Sequence, residues 1–335
     1  MKAMVLRERG SIPPDRLRLE EVPEPEPGPG AVRVRLNVCA ACRTDLHVIE
    51  GDLAPGRTPL IPGHQGVGVV DRLGPGCSLL RAGERVGIAW LRHTCGRCAS
   101  CRAGDENLCE GARFTGHHED GGYAEYALVP EAYAYPIPEG FSDLQAAPLL
   151  CAGIIGYRAL RRSGVRPGER LGIYGFGSSA HVTIQVALHW KCEVLVFTRE
   201  SSRRDQAKRM GAAWVGETHE TPPVPLDGAI LFAPAGDLVP PALRALRKGG
   251  TLALAGIHLT KIPAMEYEPH LFYEKHLTSV TANTRRDGQD LLQEAAAIPI
   301  RPTTREYPLH EANRALLDLK EGRFEGTAIL RIRAT

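Results

Sequence analysis

Long apolar runs are missing from this chain of 335 residues. No stretch reaches about eighteen apolar residues, which argues against a membrane-spanning helix. The opening MKAMVLRERG has no apolar core of the kind a secretory signal carries. The expectation is therefore a cytoplasmic protein, in a compartment where its nine cysteines stay reduced rather than paired. An excess of one charge is missing too. Forty-one lysines and arginines against 39 acids leave a net charge of +2, which offers no footing for nucleic acid or a membrane surface as partner. Aromatic residues make up only 6%, so a broad aromatic-lined pocket is not indicated. There is no internal repeat and no low-complexity tail.

What remains is an ordinary globular composition, 43% hydrophobic and 24% charged. The length exceeds what one hydrophobic core usually serves, so two domains are expected. The first half carries short β-like runs between turn residues: AVRVRLNV (31–38), GVGVVDRLG (66–74), ERVGIAW (84–90) and YAEYALV (123–129). From Arg170 the texture changes. Strands are expected at RLGIY, EVLVF (193–197), AWV (213–215), GAILF (228–232), TLALAG (251–256) and near 277–281. Helices fall between them, at 179–190, from Ser201 or Ser202, and near 238–247. Such alternation predicts a doubly wound parallel sheet with helices on both faces. The closing stretch, from Arg301, holds a helix and a strand that can return to the first domain.

CGRCASCRAGDENLC (95–109) concentrates cysteine. Cys95, Cys98, Cys101 and Cys109 follow C-x2-C-x2-C-x7-C, a spacing that lets tight turns aim four thiolates at one ion. Arg97 and Arg102, together with backbone N–H groups, can offset the charge of four thiolates on Zn²⁺. A ferredoxin-like iron–sulfur loop is the alternative. With every ligand position filled, such a site is scaffolding, and the chemistry must lie elsewhere.

LGIYGFGSSAHV (171–182) contains Gly175-x-Gly177-x-x-Ala180 after an expected strand and before an expected helix. Gly175 permits the tight turn, Gly177 lets backbone approach a pyrophosphate, and Ala180 allows close helix–strand packing. Ser178 and Ser179 open the helix whose N-terminal N–H groups would face the phosphates. A plain strand–turn–helix is the alternative. At the end of the next strand, where an NAD-binder usually has Asp or Glu, stands Thr198, followed by Arg199 with Arg203 and Arg204 nearby. Loss of the carboxylate and gain of arginine favour NADP(H) over NAD(H), although Glu200 and Asp205 soften the field and a solvated helix face would also hold arginines.

Candidate ligands for an open metal site stand in CAACRTDLH (39–47), IPGHQGVG (61–68) and APLLCAG (147–153). Each is weak by itself: a lone His64 is more often a satisfied residue, and a lone Cys151 a small buried hydrophobe. Taken in order with the cysteine loop and the glycine turn, the chain resembles the zinc-containing medium-chain alcohol dehydrogenases over essentially its whole length. That resemblance implies a GroES-like catalytic domain (1–153, completed by 286–335) and a Rossmann domain (154–285). It makes Cys42, His64 and Cys151 the ligands of a catalytic zinc, and the four-cysteine loop the site of a structural zinc, two zincs per chain. It makes Thr44 the hydroxyl that passes the substrate proton, His47 the next station, and Asp45 the group orienting His64. TDLH also reads as a helix start capped by Thr44 or Asp45. Cys39, Cys77 and Cys192 match no ligand position and are read as packing residues.

The implied activity is interconversion of alcohols with aldehydes or ketones by hydride transfer to or from NAD(P), in a dimer or tetramer acting on a small molecule. A polyol or aromatic-alcohol dehydrogenase of the same superfamily, or a non-catalytic zinc and nucleotide binder, are the alternatives. One departure stands out: GHQ places Gln65 where the family pattern has Glu. Altered exchange at the metal, with the zinc retained, is the expectation.

Overall fold

The computed structural model describes residues 1–53, 56–298 and 300–333. Thr335, the expected end of the returning segment, lies outside the described residues. The chain divides into two compact units: Met1–Cys151 with Ala282–Ala296 and Arg301–Thr335, and Ala152–Thr281 with Ala297–Ile300.

The first unit begins with an antiparallel ribbon of β1 (Lys2–Leu6) and β2 (Leu17–Glu21). β3 (Ala31–Ala41) follows, then α1 (Arg43–Glu50), β4 (Gly66–Leu73), β5 (Arg85–Ile88) and β6 (Leu91–His93). The short α2 (Ala99–Arg102) lies within the cysteine loop. β7 (Arg113–Phe114), β8 (Tyr126–Pro130), β9 (Ala134–Pro136) and α3 (Asp143–Ala146) complete this stretch. Alternation in β3 turns Val32, Val34 and Leu36 onto a core shared with Val70, Val86, Ile88 and Val129. The expected strand at 123–129 starts later, at Tyr126. Before it, Gly121, Gly122 and Tyr123 donate their N–H groups to the carbonyls of Ile61, Gly63 and Pro62 rather than to a ladder.

The second unit opens with α4 (Ala152–Arg162), which the sequence pattern did not single out. β10 (Arg170–Tyr174), α5 (Ser178–His189), β11 (Glu193–Phe197), α6 (Ser201–Arg209), β12 (Trp214–Gly216), β13 (Leu226–Leu231), α7 (Val239–Ala245), β14 (Leu246–Leu254) and β15 (His276–Ser279) follow. Six parallel strands run in the order β12-β11-β10-β13-β14-β15, the doubly wound arrangement. Their apolar runs read as continuous because both faces are covered. Tyr174 and Phe197 stack at 4.1 Å within the core beneath the β10 and β11 ends.

The chain then returns to the first unit with α8 (Arg285–Ala297), β16 (Thr304–Pro308), α9 (Ala312–Glu321) and β17 (Thr327–Arg331). The seven-stranded sheet there runs β16-β17-β3-β4-β5-β9, with β8 also on β3. β17 pairs antiparallel with β3 at its far end, Ala328 opposite Ala41 and Ile329 opposite Ala40. Among the described residues no helix is long and apolar enough to cross a membrane.

Candidate active site

β3 delivers the chain directly into the site, because Cys42 follows its last residue and caps α1. The Cys42 sulfur accepts the Thr44 N–H at 3.2 Å, and the Asp45 carboxylate accepts the Cys42 N–H at 2.8 Å. The helix start is therefore capped by Cys42, not by Thr44 or Asp45. Those two occupy the second and third helical positions, where Asp45 completes a reciprocal box.

The same carboxylate reaches His64. Its Oδ1 accepts the Nδ1–H of the imidazole at 3.0 Å, which fixes the tautomer and leaves Nε2 as the donor atom. Nε2 lies 3.3 Å from the Cys42 sulfur, and that sulfur lies 3.9 Å from Cys151 Sγ. All three donor atoms fall within 4.8 Å of one another. A zinc tetrahedron with ordinary bond lengths has sulfur–nitrogen and sulfur–sulfur edges of about 3.6 and 3.8 Å. The fit is close.

Charge supports the same conclusion. Burial opposes a proton on His64, but Asp45 and the Cys42 sulfur outweigh it and push the imidazole up to about 10. A hydrogen bond from Cys151, working against burial, holds the Cys42 thiol well below its ordinary range. That bond and burial push Cys151 up. The buried cluster thus concentrates negative charge that a proton or a metal cation would offset.

Thr44 is half-buried on the first turn of α1, with its N–H on the Cys42 sulfur. His47 follows one turn later, and its Nδ1 lies 2.8 Å from Asp52 Oδ2. Gln65 is fully buried; its Nε2 donates to the Ala40 carbonyl at 3.3 Å, and its Oε1 has no partner. Trp90 meets the His64 ring edge-on at 5.0 Å and lies nearly parallel to both Phe114 and His117. Cys39 packs in an apolar cluster with Leu46, Ile49 and Tyr123, apart from both groups of converging metal donors among the described residues. Tyr123 carries no local signal of its own, although the Gly121-Gly122 pair before it marks a close backbone approach.

The second group is the cysteine loop, whose four sulfurs also lie within 4.8 Å of one another. Backbone N–H groups serve the sulfurs: Cys95 N–H donates to Cys109, Cys98 N–H to Cys95, and Cys101 N–H to Cys98. The Arg102 side chain instead donates to the Arg97 carbonyl. Amide dipoles thus face the thiolates, while the Arg102 guanidinium is engaged elsewhere. Glu106 inside the loop pairs with Arg285 at the start of α8, 2.8 Å apart.

In the second unit Gly175 has φ +88, and a Cβ there would stand 2.9 Å from the Ala233 nitrogen. Gly177 is the N-cap of α5, with Ser178 and Ser179 on its first turn and Ala180 fully buried beneath them. Beyond β11, Thr198 is buried and Arg199 exposed. Arg203 donates to the Phe176 carbonyl at 2.7 Å and pairs with Glu200. Arg204 donates to the carbonyls of Thr198 and Arg199 at 2.7 and 2.8 Å. Arg203 thus reaches the glycine turn, while Arg204 is spent on closing its own loop.

The family model of the alcohol dehydrogenase GroES-like domain matches residues 28–139, and that of the zinc-binding dehydrogenase matches residues 180–297. A Mycobacterium tuberculosis (strain CDC 1551 / Oshkosh) protein named "Probable alcohol dehydrogenase AdhA" is 55% identical over 89% of this chain and 88% of its own. The chain belongs to the zinc-type medium-chain dehydrogenase/reductase family. Solved structures of this dehydrogenase family superpose along its whole length. A crystal structure of an NAD-dependent alcohol dehydrogenase has a TM-score of 0.88 and 27% identity, covering 99% of this chain and 100% of that one. A cobalt- and zinc-bound thermostable alcohol dehydrogenase from Pyrobaculum aerophilum has a TM-score of 0.89 and 25% identity, covering 99% of each chain.

Proposed function

We propose that this oxidoreductase is a zinc- and NAD(P)-dependent alcohol dehydrogenase that interconverts small alcohols with aldehydes or ketones. The carrying observation is the convergence of Cys42, His64 and Cys151, three donors where the cysteine loop has four. Zinc held by the three would supply a Lewis acid with a position left for a substrate oxygen, and NAD(P) would supply the hydride acceptor or donor. The cobalt- and zinc-bound relative supports the metal. The four-cysteine loop would hold a second, structural zinc.

The chain's own residues supply the rest. Thr44, on the turn that starts at Cys42, offers a hydroxyl to take the substrate proton. His47, three residues on and so on the same helix face, passes it towards Asp52 and solvent. Asp45 holds the His64 tautomer. Gly175, Gly177, Ser178 and Ser179 present turn backbone and helix N–H groups to the cofactor phosphates. Thr198, Arg199 and Arg203 would receive the adenosine ribose, with NADP favoured because Thr198 stands at the strand end in place of a carboxylate, Glu200 is paired with Arg203, and Arg199 has no ion pair with Asp or Glu among the described residues. One relative of known structure is NAD-dependent by its own description and another is described as bound to NADP, so the cofactor comparison is the sharper test. We take 1–153 with 286–335 as the catalytic domain and 154–285 as the cofactor domain, in a cytoplasmic dimer or tetramer.

The test is reduced-nicotinamide absorbance with simple alcohols and aldehydes, before and after chelation. Turnover that chelation abolishes and zinc restores supports the reading. No turnover with any of them, despite bound zinc and cofactor, would leave a non-catalytic binder.

A further inference from the structure

We infer that Tyr123 is a positioning residue of the three-donor centre, holding Asp45 and through it the His64 ring. The inference rests on reading Cys42, His64 and Cys151 as zinc ligands. Tyr123 is fully buried, and its phenol donates to Asp45 Oδ2 at 3.1 Å. That oxygen already accepts the Cys42 N–H, so two donors converge on Oδ2 and leave Oδ1 to His64. A carboxylate has two rotatable bonds, and donors on both oxygens are what stop it from turning.

Tyr123 reaches His64 by a second route. Gly63, the residue before His64, has φ +95, and a Cβ there would lie 2.3 Å from Tyr123 Cδ1. The ring therefore packs close against the loop that delivers the imidazole. Three amides sew the two segments together: Gly121 N–H to Ile61 at 2.7 Å, Gly122 N–H to Gly63 at 2.8 Å, and Tyr123 N–H to Pro62 at 3.0 Å. One side chain thus meets the ligand loop with its ring and the orienting carboxylate with its hydroxyl. A phenol buried merely for its volume would need any acceptor; this one takes the acceptor that sets a ligand's tautomer.

Tyr123→Phe keeps the ring and removes the hydroxyl. The readouts are zinc loss from each site of the intact enzyme to a chelator, the visible spectrum of cobalt in the three-donor site, and Tm. The expected result is metal loss from the three-donor site about tenfold faster, a shifted cobalt spectrum, and unchanged loss from the four-cysteine site. Identical rates and spectrum overturn the inference. So does parallel loss from both sites with a lowered Tm, or failure to fold, since either marks a structural residue only. In an Asp45→Asn background the same substitution should change zinc release no further, whereas an undiminished effect there also overturns it. A parent enzyme that retains zinc only in its four-cysteine loop would instead remove the underlying reading.

Discussion

Asp45 and His64 are joined at 3.0 Å by a carboxylate that also closes the first turn of the helix behind Cys42. One side chain therefore sets the direction of the His64 nitrogen and the placement of the Cys42 sulfur, the two atoms proposed to meet the metal. Asp45→Asn conserves the shape and removes the charge. Metal affinity at this site, or kcat/KM, should fall about 10- to 100-fold, with the fold retained. Zinc titration against a competing chelator checks it, and a parent-like affinity would contradict it.

Cys151 enters the site from the turn before α4, far from the other donors in sequence. Cys151→Ser should lower the zinc content by one ion per chain and abolish turnover, while leaving thermal unfolding near that of the parent. Cys98→Ser should do the reverse in emphasis, with Tm falling first. Metal analysis and calorimetry on both variants separate the two roles; equal effects would mean that the two clusters had been given the wrong tasks.

Arg199 is exposed, whereas Arg204 donates to two carbonyls of its own loop. Arg199→Ala should cost about tenfold in kcat/KM for NADP, the worth of one charge-assisted hydrogen bond, and little for NAD. Arg204→Ala should weaken both cofactors alike, through loss of loop geometry. A parent enzyme that strongly prefers NAD rules out the 2′-phosphate role.

Gln65 is buried beside His64 with an unpartnered Oε1. Gln65→Glu would place a carboxylate where no donor meets it, so the metal-free protein should lose stability and zinc should restore it. Product release should change while zinc content stays the same. Stopped-flow release rates indistinguishable from the parent would refute this.

His117 and His181 are buried, and burial first, then neighbouring cations, pushes each down from 6.5 to about 4. The cations are His118 and Arg9 for the former, and Arg203 for the latter. The folded protein keeps both neutral, while the unfolded chain takes up their protons below about 6.5. Stability is thus fully present above that pH and drains away as pH falls towards about 4. Denaturant midpoints across this range should slope less steeply for His181→Phe than for the parent. Parallel slopes would show that His181 takes up its proton alike in both states.

The parts of the site that are legible in the sequence are those that backbone requirements impose locally. A C-x2-C spacing and a glycine that needs φ +88 leave marks at fixed offsets, as do the alternating apolar run of β3 and the continuous one of β11. His64 and Cys151 leave none; only their order along the chain, matched to a family pattern, pointed to them. Sulfur is not a usual capping atom, so the local pattern points to Thr44 or Asp45 as the helix cap rather than Cys42. The β-like run from Tyr123 predicts a strand there, yet tertiary bonds to Ile61–Gly63 claim the backbone of 121–123. The arginines after β11 show the remaining gap: their number is a property of sequence, but their partners, Phe176 and Thr198, depend on how the turn closes.

The pairing of Ala328 and Ile329 with Ala41 and Ala40 has a consequence for biosynthesis. The strand that leads into Cys42 gains this neighbour only once Thr327–Arg331, far later in the chain, has been made. A chain made only as far as α8 would own all three donor atoms yet lack this neighbour, so metal loading should follow the synthesis of β17.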